Sequence, residues 1–290
     1  MIVAPGVTTI ASLLHTATVQ LTAASIDDAR LEAEVLLAHT LATDRAHVLA
    51  RLTDSIDEAS IARFAQRLTR RLAREPLAYI VGRREFYGIE IACGPGALIP
   101  RPETELVVDI ALDEIRTRGG ALCIADIGTG SGAIAVAIAA NAPNVRITAI
   151  DASSDALTIA RNNVDLHTVA SRVELRVGNL LDGSGVFDVI VANLPYVSVA
   201  EWQTLQPEVR EYEPRAALVG GREGTEAIEQ LLRDAPPHLA SGAVLALEIG
   251  ATQAERLLAV ARASFPNAEV CVMKDLAGLD RVLVVRAPGG

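Results

Sequence analysis

Between Ala121 and Arg286 the apolar residues fall into seven short runs, most of them separated by stretches with helical spacing. The runs are 121–127, 145–150, 172–177, 186–193, 243–249, 268–273 and 281–286. Helical spacing fills 132–141, 153–168, 223–239 and 252–264. Near-continuous apolar runs between helices indicate strands buried on both faces. The pattern therefore predicts an α/β fold with a mostly parallel sheet. Only Lys274 to Asp280 joins the last two runs. That is too short for a parallel crossover, so the final strand is expected antiparallel to its neighbours or paired as a hairpin, in a mixed seven-stranded sheet.

Upstream, residues 8–75 show only helical periods. Ser25-Ile26-Asp27-Asp28 has the form of a capping-box start, followed by Ala29, Ala33, Leu36, Leu37 and Leu41 on one face. Ser55 and Glu58 are expected to open another helix with the stripe Ile61, Phe64, Leu68 and Leu72. Arg63, Arg67, Arg70 and Arg74 lie on a different face, read as solvated in preference to a phosphate or acidic-partner grip. Glu75-Pro76 ends this helix. Residues 1–76 thus form a small helical domain, too short for an enzyme core and expected to recognise a partner or substrate. Residues 77–102 are read as a linking β-hairpin: Glu85 to Ile91 are strand residues, and Cys93-Gly94-Pro95-Gly96 is turn chemistry. The third domain is 103–290, opening with an amphipathic helix from Glu103 to about Arg118 that Gly119-Gly120 stops.

Half of the 290 residues are hydrophobic, enough for a sizeable core, and the net charge is -10. An acidic chain has no general electrostatic grip on nucleic acid, so a direct nucleic-acid substrate is not expected. Cys93, Cys123 and Cys271 are few, odd in number and far apart. They indicate neither disulfides nor zinc, and three buried thiols in a reducing compartment are expected. The five histidines, at 15, 39, 47, 167 and 238, fall in no motif, and no metal site is predicted. Met1 to Gln20 lacks the basic-then-apolar order of a secretory signal. The longest apolar run, Ala133 to Ala140, is far short of a membrane span. A cytoplasmic protein with no membrane partner is expected, and a monomer.

The chemistry gathers at strand ends, where open α/β sheets bind ligands. Asp126-Ile127-Gly128-Thr129-Gly130-Ser131-Gly132-Ala133 forms the first strand-to-helix turn. Its glycines permit close backbone approach to a ligand. The turn also satisfies G-x-G-x-x-A, which leaves a dinucleotide open. Asp151 ends the second strand and suits the two hydroxyls of a ribose, in NAD or in S-adenosylmethionine. Asp126, just before the glycines, sits badly beside a pyrophosphate and suits an ammonium group. Gly178-Asn179-Leu180 ends the third strand, where Leu180 is expected to pack on an adenine face. Asn193-Leu194-Pro195-Tyr196 ends the fourth. A carboxamide, a rigid X-Pro bond and a ring suit a flat polar group such as an amide or a nucleobase. Arg101, fixed between two prolines just before Glu103, is read as part of an arm over the site.

Together these residues resemble the class I, Rossmann-like, S-adenosylmethionine-dependent methyltransferases. Within them the chain is similar to the HemK/PrmC protein-(glutamine-N5) methyltransferases, which act on peptide chain release factors. The resemblance runs through Tyr79-Ile80-x-Gly82, Glu85-Phe86-x-Gly88, Ile99 to Glu105, Asp126 to Gly132, Glu208-Val209-Arg210, Glu213-Pro214 and Lys274 to Gly278. It covers essentially the whole chain. The family carries Asn-Pro-Pro-Tyr where this chain has Asn-Leu-Pro-Tyr. The Asn-Pro-Pro-Tyr form alone is shared with adenine methyltransferases of DNA and RNA.

The resemblance implies that S-adenosylmethionine is held by Asp126, Ile127, Gly128, Thr129, Gly130, Gly132, Asp151, Leu180 and Asn193. Asn193, Leu194, Pro195 and Tyr196 would be catalytic and bind the substrate amide, with Arg101 and Glu103 also on the substrate. The Asn193 side chain and the Leu194 carbonyl would take both amide protons, so Leu194 in place of proline gives up stiffness but keeps the acceptor. Other readings are glutamine methylation of a ribosomal protein, adenine-N6 methylation of nucleic acid, an NAD-dependent oxidoreductase, and a regulator built on an inactive methyltransferase fold.

Overall fold

The computed structural model describes residues 8–289. The chain divides into two compact units, with the boundary after Gly82.

The first unit is helical: α1 (Ile10–Ala23), α2 (Ala29–Thr40), α3 (Arg45–Ala50), α4 (Glu58–Leu72) and α5 (Leu77–Val81). Leu14, Leu21, Leu36, Leu37, Phe64 and Ile80 meet in one apolar core. Ile80 belongs to this core, and the hairpin that follows belongs to the second unit, with Phe86 and Ile91 in its core. The caps differ from expectation. Asp28, not Ser25, precedes α2, at φ 52 and with no side-chain cap. Asp57, not Ser55, caps α4, accepting from the Ser60 N–H at 2.8 Å. The arginine row on α4 is not uniformly solvated. Arg70 pairs with Glu75 at 2.6 Å. Arg74 donates to the carbonyls of Ala24 and Ser25, tying the end of α4 to the turn between α1 and α2.

The second unit opens with β1 (Arg83–Phe86) and β2 (Ile89–Ala92), an antiparallel pair in which Phe86 faces Ile89. The turn falls inside the stretch read as one strand. Tyr87 and Gly88 both have positive φ, 52 and 74, as a tight two-residue hairpin turn requires. After a short 3-10 turn, Pro102–Thr104, come α6 (Glu105–Arg118), β3 (Leu122–Ile127), α7 (Ala133–Asn141), β4 (Val145–Asp151), α8 (Ser154–Leu166), β5 (Val173–Val177) and β6 (Phe187–Ala192). Next is a region the periodicity leaves blank, with β7 (Val197–Ser198), α9 (Val199–Trp202), α10 (Pro207–Tyr212), α11 (Arg215–Leu218) and β8 (Val219–Gly221). The chain closes with α12 (Glu226–Asp234), β9 (Leu239–Glu248), α13 (Ala254–Ser264), β10 (Glu269–Lys274) and β11 (Asp280–Arg286). The helix expected over 223–239 stops at Asp234, because the prolines at 236 and 237 cannot continue it.

The main sheet has seven strands in the order β10-β11-β9-β6-β3-β4-β5. β9, β6, β3, β4 and β5 run parallel to one another, and β11 is antiparallel to both of its neighbours, β10 and β9. The mixed sheet follows from the short link before β11, as its length requires. One face is covered by α6, α7 and α8, through Val107, Val108, Val136 and Val164. The other face carries α12 and α13, through Ile228, Leu231, Leu232 and Leu257. All of Ala133 to Ala139 is buried, so α7 is apolar all round because no side of it meets solvent. The thiols depart from expectation: Cys93 is half-buried, and Cys123 and Cys271 are exposed. Cys271 lies on β10, the edge strand, with one face uncovered. Among the described residues no helix is long and apolar enough to cross a membrane.

The chain starts the sheet at β3, in its interior. It builds outward through β4 and β5, then returns to the other side with β6. The carboxyl ends of β3 and β6 therefore flank the point where the order reverses, and a crevice opens there.

Candidate active site

A cavity of about 500 Å³ occupies that crevice. Its walls include Ile127, Gly128, Thr129 and Gly130 after β3, Asp151 after β4, Leu180 after β5, and Asn193, Leu194 and Pro195 after β6. These nine sequence-predicted residues come together although they span 69 positions of the chain.

The glycine turn is pinned from three sides. The amides of Gly128 and Thr129 donate to the Ile150 carbonyl at 2.8 and 3.0 Å. The Gly130 N–H donates to Asp151 Oδ2 at 2.8 Å, while Asp151 Oδ1 takes the Ser153 N–H at 2.8 Å. Each Asp151 oxygen keeps a lone pair for a ligand hydroxyl. From behind, the fully buried Asp126 accepts from Thr129 Oγ1 at 2.6 Å and from the Ala135 N–H at 3.2 Å, both through Oδ2. Its Oδ1 is buried without a partner. Burial pushes this carboxyl up to about 7, against the pull of Thr129 and the Ala135 amide. Asp126 thus stands behind the turn and not on the cavity wall. Gly132 is off the wall as well. A side chain there, at φ +80, would meet Ala160 at 3.1 Å, so its smallness serves the packing of α7 on α8. Gly128, at φ +70, is different: a Cβ would lie 2.9 Å from Leu194 Cδ2. The Leu194 side chain is buried against the turn.

Asn193 is held through one end of its carboxamide. Nδ2 donates to Thr104 Oγ1 at 2.9 Å, and Thr104 Oγ1 donates to Glu248 Oε2 at 2.6 Å. The other Glu248 oxygen accepts from the Tyr196 hydroxyl at 3.1 Å. Tyr196 therefore points its hydroxyl at Glu248 and is not part of the cavity lining. The Tyr196 carbonyl accepts from Gln253 Nε2 at 2.8 Å. Behind the motif, β8 pairs with β7 and presses glycine against it: a Cβ at Gly220 would lie 2.1 Å from the Pro195 carbonyl oxygen.

The arm behaves in two parts. Ala97, Leu98 and Pro100 line the cavity, as does Thr104. Arg101 instead pairs with the buried Glu213 at 2.5 Å, and Glu213 also accepts the Ile99 N–H at 3.0 Å. Glu103 is exposed and off the cavity wall. Sequence reasoning missed Glu248 and the separate role of Thr104. A carboxylate ending an apolar strand run, as Asp126 and Asp151 do, was the available signal for Glu248. It also missed Asn163, which is wholly buried and donates to the carbonyls of Ala92 and Ser131, joining β2 to the glycine turn.

Comparison with known proteins agrees with this architecture. Residues 12–82 match the PrmC N-terminal domain, and residues 108–207 match the methyltransferase small domain. A release factor glutamine methyltransferase of Rhodopirellula baltica is 41% identical over 260 residues, covering 88% of each chain. One from Nitratidesulfovibrio vulgaris is 38% identical over 282 residues, covering 96% of this chain and 95% of its own. The hMettl16 catalytic domain has a similar fold, with a TM-score of 0.56 at 14% identity over 82% of this chain and 85% of that one. With relatives this similar along nearly their whole length, the chain belongs to the release factor glutamine methyltransferase family.

Proposed function

We propose that this protein transfers a methyl group from S-adenosylmethionine to the side-chain amide nitrogen (N5) of the glutamine in the Gly-Gly-Gln loop of peptide chain release factors. The observation that carries this is the state of Asn193. Its Nδ2 is bound to Thr104, and its Oδ1 has no partner among the described residues at the edge of the cavity. The Leu194 carbonyl beside it accepts no hydrogen bond among the described residues either. Two free acceptors in a row match the two N–H donors of a primary amide.

The cavity suits the cofactor. Asp151 faces a ribose with a lone pair on each oxygen, the glycine turn admits backbone contact, and Leu180 offers an apolar surface to a base. The Oδ1 of Asp126 is buried without a partner behind the turn, and a cation bound nearby would favour the charged form of this carboxyl, which suits the cationic end of the molecule. When bound, S-adenosylmethionine supplies an electrophilic methyl on a positively charged sulfur. The product is S-adenosylhomocysteine.

An amide nitrogen is a poor nucleophile, because its lone pair is delocalised into the carbonyl. Asn193 Oδ1 and the Leu194 carbonyl hold both N–H bonds. They fix the nitrogen in place and favour the positive charge that grows on it during attack. Pro195 stiffens the backbone that presents these acceptors. No histidine or cysteine lines the cavity, and no general base is assigned; the alkylated nitrogen, made acidic by the new bond, loses its proton to water. A cytoplasmic monomer is expected. The helical unit is assigned to recognition of the release factor, since the cavity is lined wholly by the other unit.

Asn193→Ala tests the central role. Turnover on a purified release factor should fall by at least about a hundredfold, on the scale of losing a group aimed at transition-state charge. S-adenosylhomocysteine affinity should change by less than about threefold. Turnover within a few-fold of wild type would remove Asn193 from the mechanism.

A further inference from the structure

We propose that Thr104 and Glu248 act together as a positioning pair, deciding which end of the Asn193 carboxamide faces the substrate. This deepens the proposed reaction and rests on it. A carboxamide has two ends of nearly equal shape and opposite function, one accepting and one donating. Only the oxygen can receive an amide N–H. With Nδ2 turned to the cavity, two donors would face each other and the acceptor amide would lose half of its clamp.

The direction is set by counting protons. A threonine hydroxyl has one proton to give. Glu248 Oε2 lies 2.6 Å from Thr104 Oγ1, and an ionised carboxylate only accepts, so that proton is committed to Glu248. Thr104 is then left with lone pairs alone, and only Nδ2 of Asn193 can bond to it, at 2.9 Å. Glu248 thus acts on the substrate clamp through one intervening atom.

Glu248 ends β9 at 1% exposure, on the strand beside β6. Burial raises the Glu248 carboxyl above the ordinary carboxylate range, against the Thr104 and Tyr196 hydroxyls and the Arg281 guanidinium, which favour its charged form. Glu103 acts on it with the opposite sign to Arg281. Arg281 is itself held by Asp275 at 3.1 Å. A buried carboxylate is costly to retain and adds little stability.

Thr104→Val and Thr104→Ser are the test pair. Valine keeps the shape and removes the hydroxyl; serine keeps the hydroxyl. For Thr104→Val we expect kcat on a release factor to fall about tenfold or more. S-adenosylhomocysteine affinity and KM for the release factor should each move by less than about threefold. Thr104→Ser should stay within about threefold of wild type in kcat. If Thr104→Val does not fold, Thr104→Ala carries the same expectation. Wild-type kcat in the valine or alanine variant would overturn the proposal. So would equal losses in kcat and cofactor affinity, which would mark Thr104 as a general support of the cavity, and so would a serine variant as impaired as valine. A wild-type protein that leaves the release factor unmethylated would instead refute the reaction itself.

Discussion

Two side chains at the cavity carry opposite burdens. Asn193 is tied at Nδ2 and open at Oδ1, so its chemistry depends on one atom. The proposed part of Leu194 is its carbonyl, since its side chain is buried against Gly128. The Leu194 N–H donates no hydrogen bond among the described residues, so proline there removes none. Leu194→Pro, which restores the family's residue, should keep kcat within about threefold, because the carbonyl stays. A hundredfold loss would show that the side chain matters to the reaction. Asp126 gives a stability prediction. Its carboxyl is raised from 3.8 to about 7 by burial. Between those values the folded protein binds more protons than the unfolded chain. This group's contribution to stability should therefore fall as pH rises from about 4 to about 7, and level off above. Denaturant unfolding of the cofactor-free protein should show that slope, and Asp126→Asn should flatten it. An unchanged slope in the variant would refute the assignment.

At the scale of elements, the sheet was legible and the short elements after the fourth-strand motif were not. Seven apolar runs with helices between them are enough to give seven strands, and the short link from Lys274 to Asp280 gives the antiparallel close. Asp151 and the glycine turn were legible because strand ends in such a sheet converge. Residues 197–221 were not, because their elements are two to six residues long and carry no period. Thr104 and Glu248 were hidden for another reason. They are 144 residues apart, and each makes chemical sense only beside the other. The glycine at 220 belongs to the same blind region. An added methyl would lie 2.1 Å from the Pro195 carbonyl oxygen, a backbone atom that cannot swing away. Gly220→Ala should destabilise by about 2 kcal/mol or more and lower kcat, since the displaced segment carries the clamp. A melting temperature and kcat equal to wild type would contradict this account of the close approach.

For the whole molecule, division of labour between the units is the main expectation. Each has its own apolar core, and the sheet is covered on both faces by helices of its own unit. Residues 83–290 expressed alone should therefore fold cooperatively and bind S-adenosylhomocysteine within about threefold of the full chain. On an intact release factor their kcat/KM should fall at least about tenfold, through KM, if the helical unit recognises the substrate. Unchanged kcat/KM would remove that role. The net charge of -10 argues the same way about partners, since a clamp of this kind also suits an adenine amine, and a polyanion would meet an acidic chain. The most direct test offers the full-length protein labelled S-adenosylmethionine together with a purified release factor and, separately, DNA and RNA, and maps the label by mass spectrometry. One methyl on the side-chain nitrogen of the Gly-Gly-Gln glutamine, and none on nucleic acid, is the predicted result. Label at another residue, or on nucleic acid alone, would contradict it.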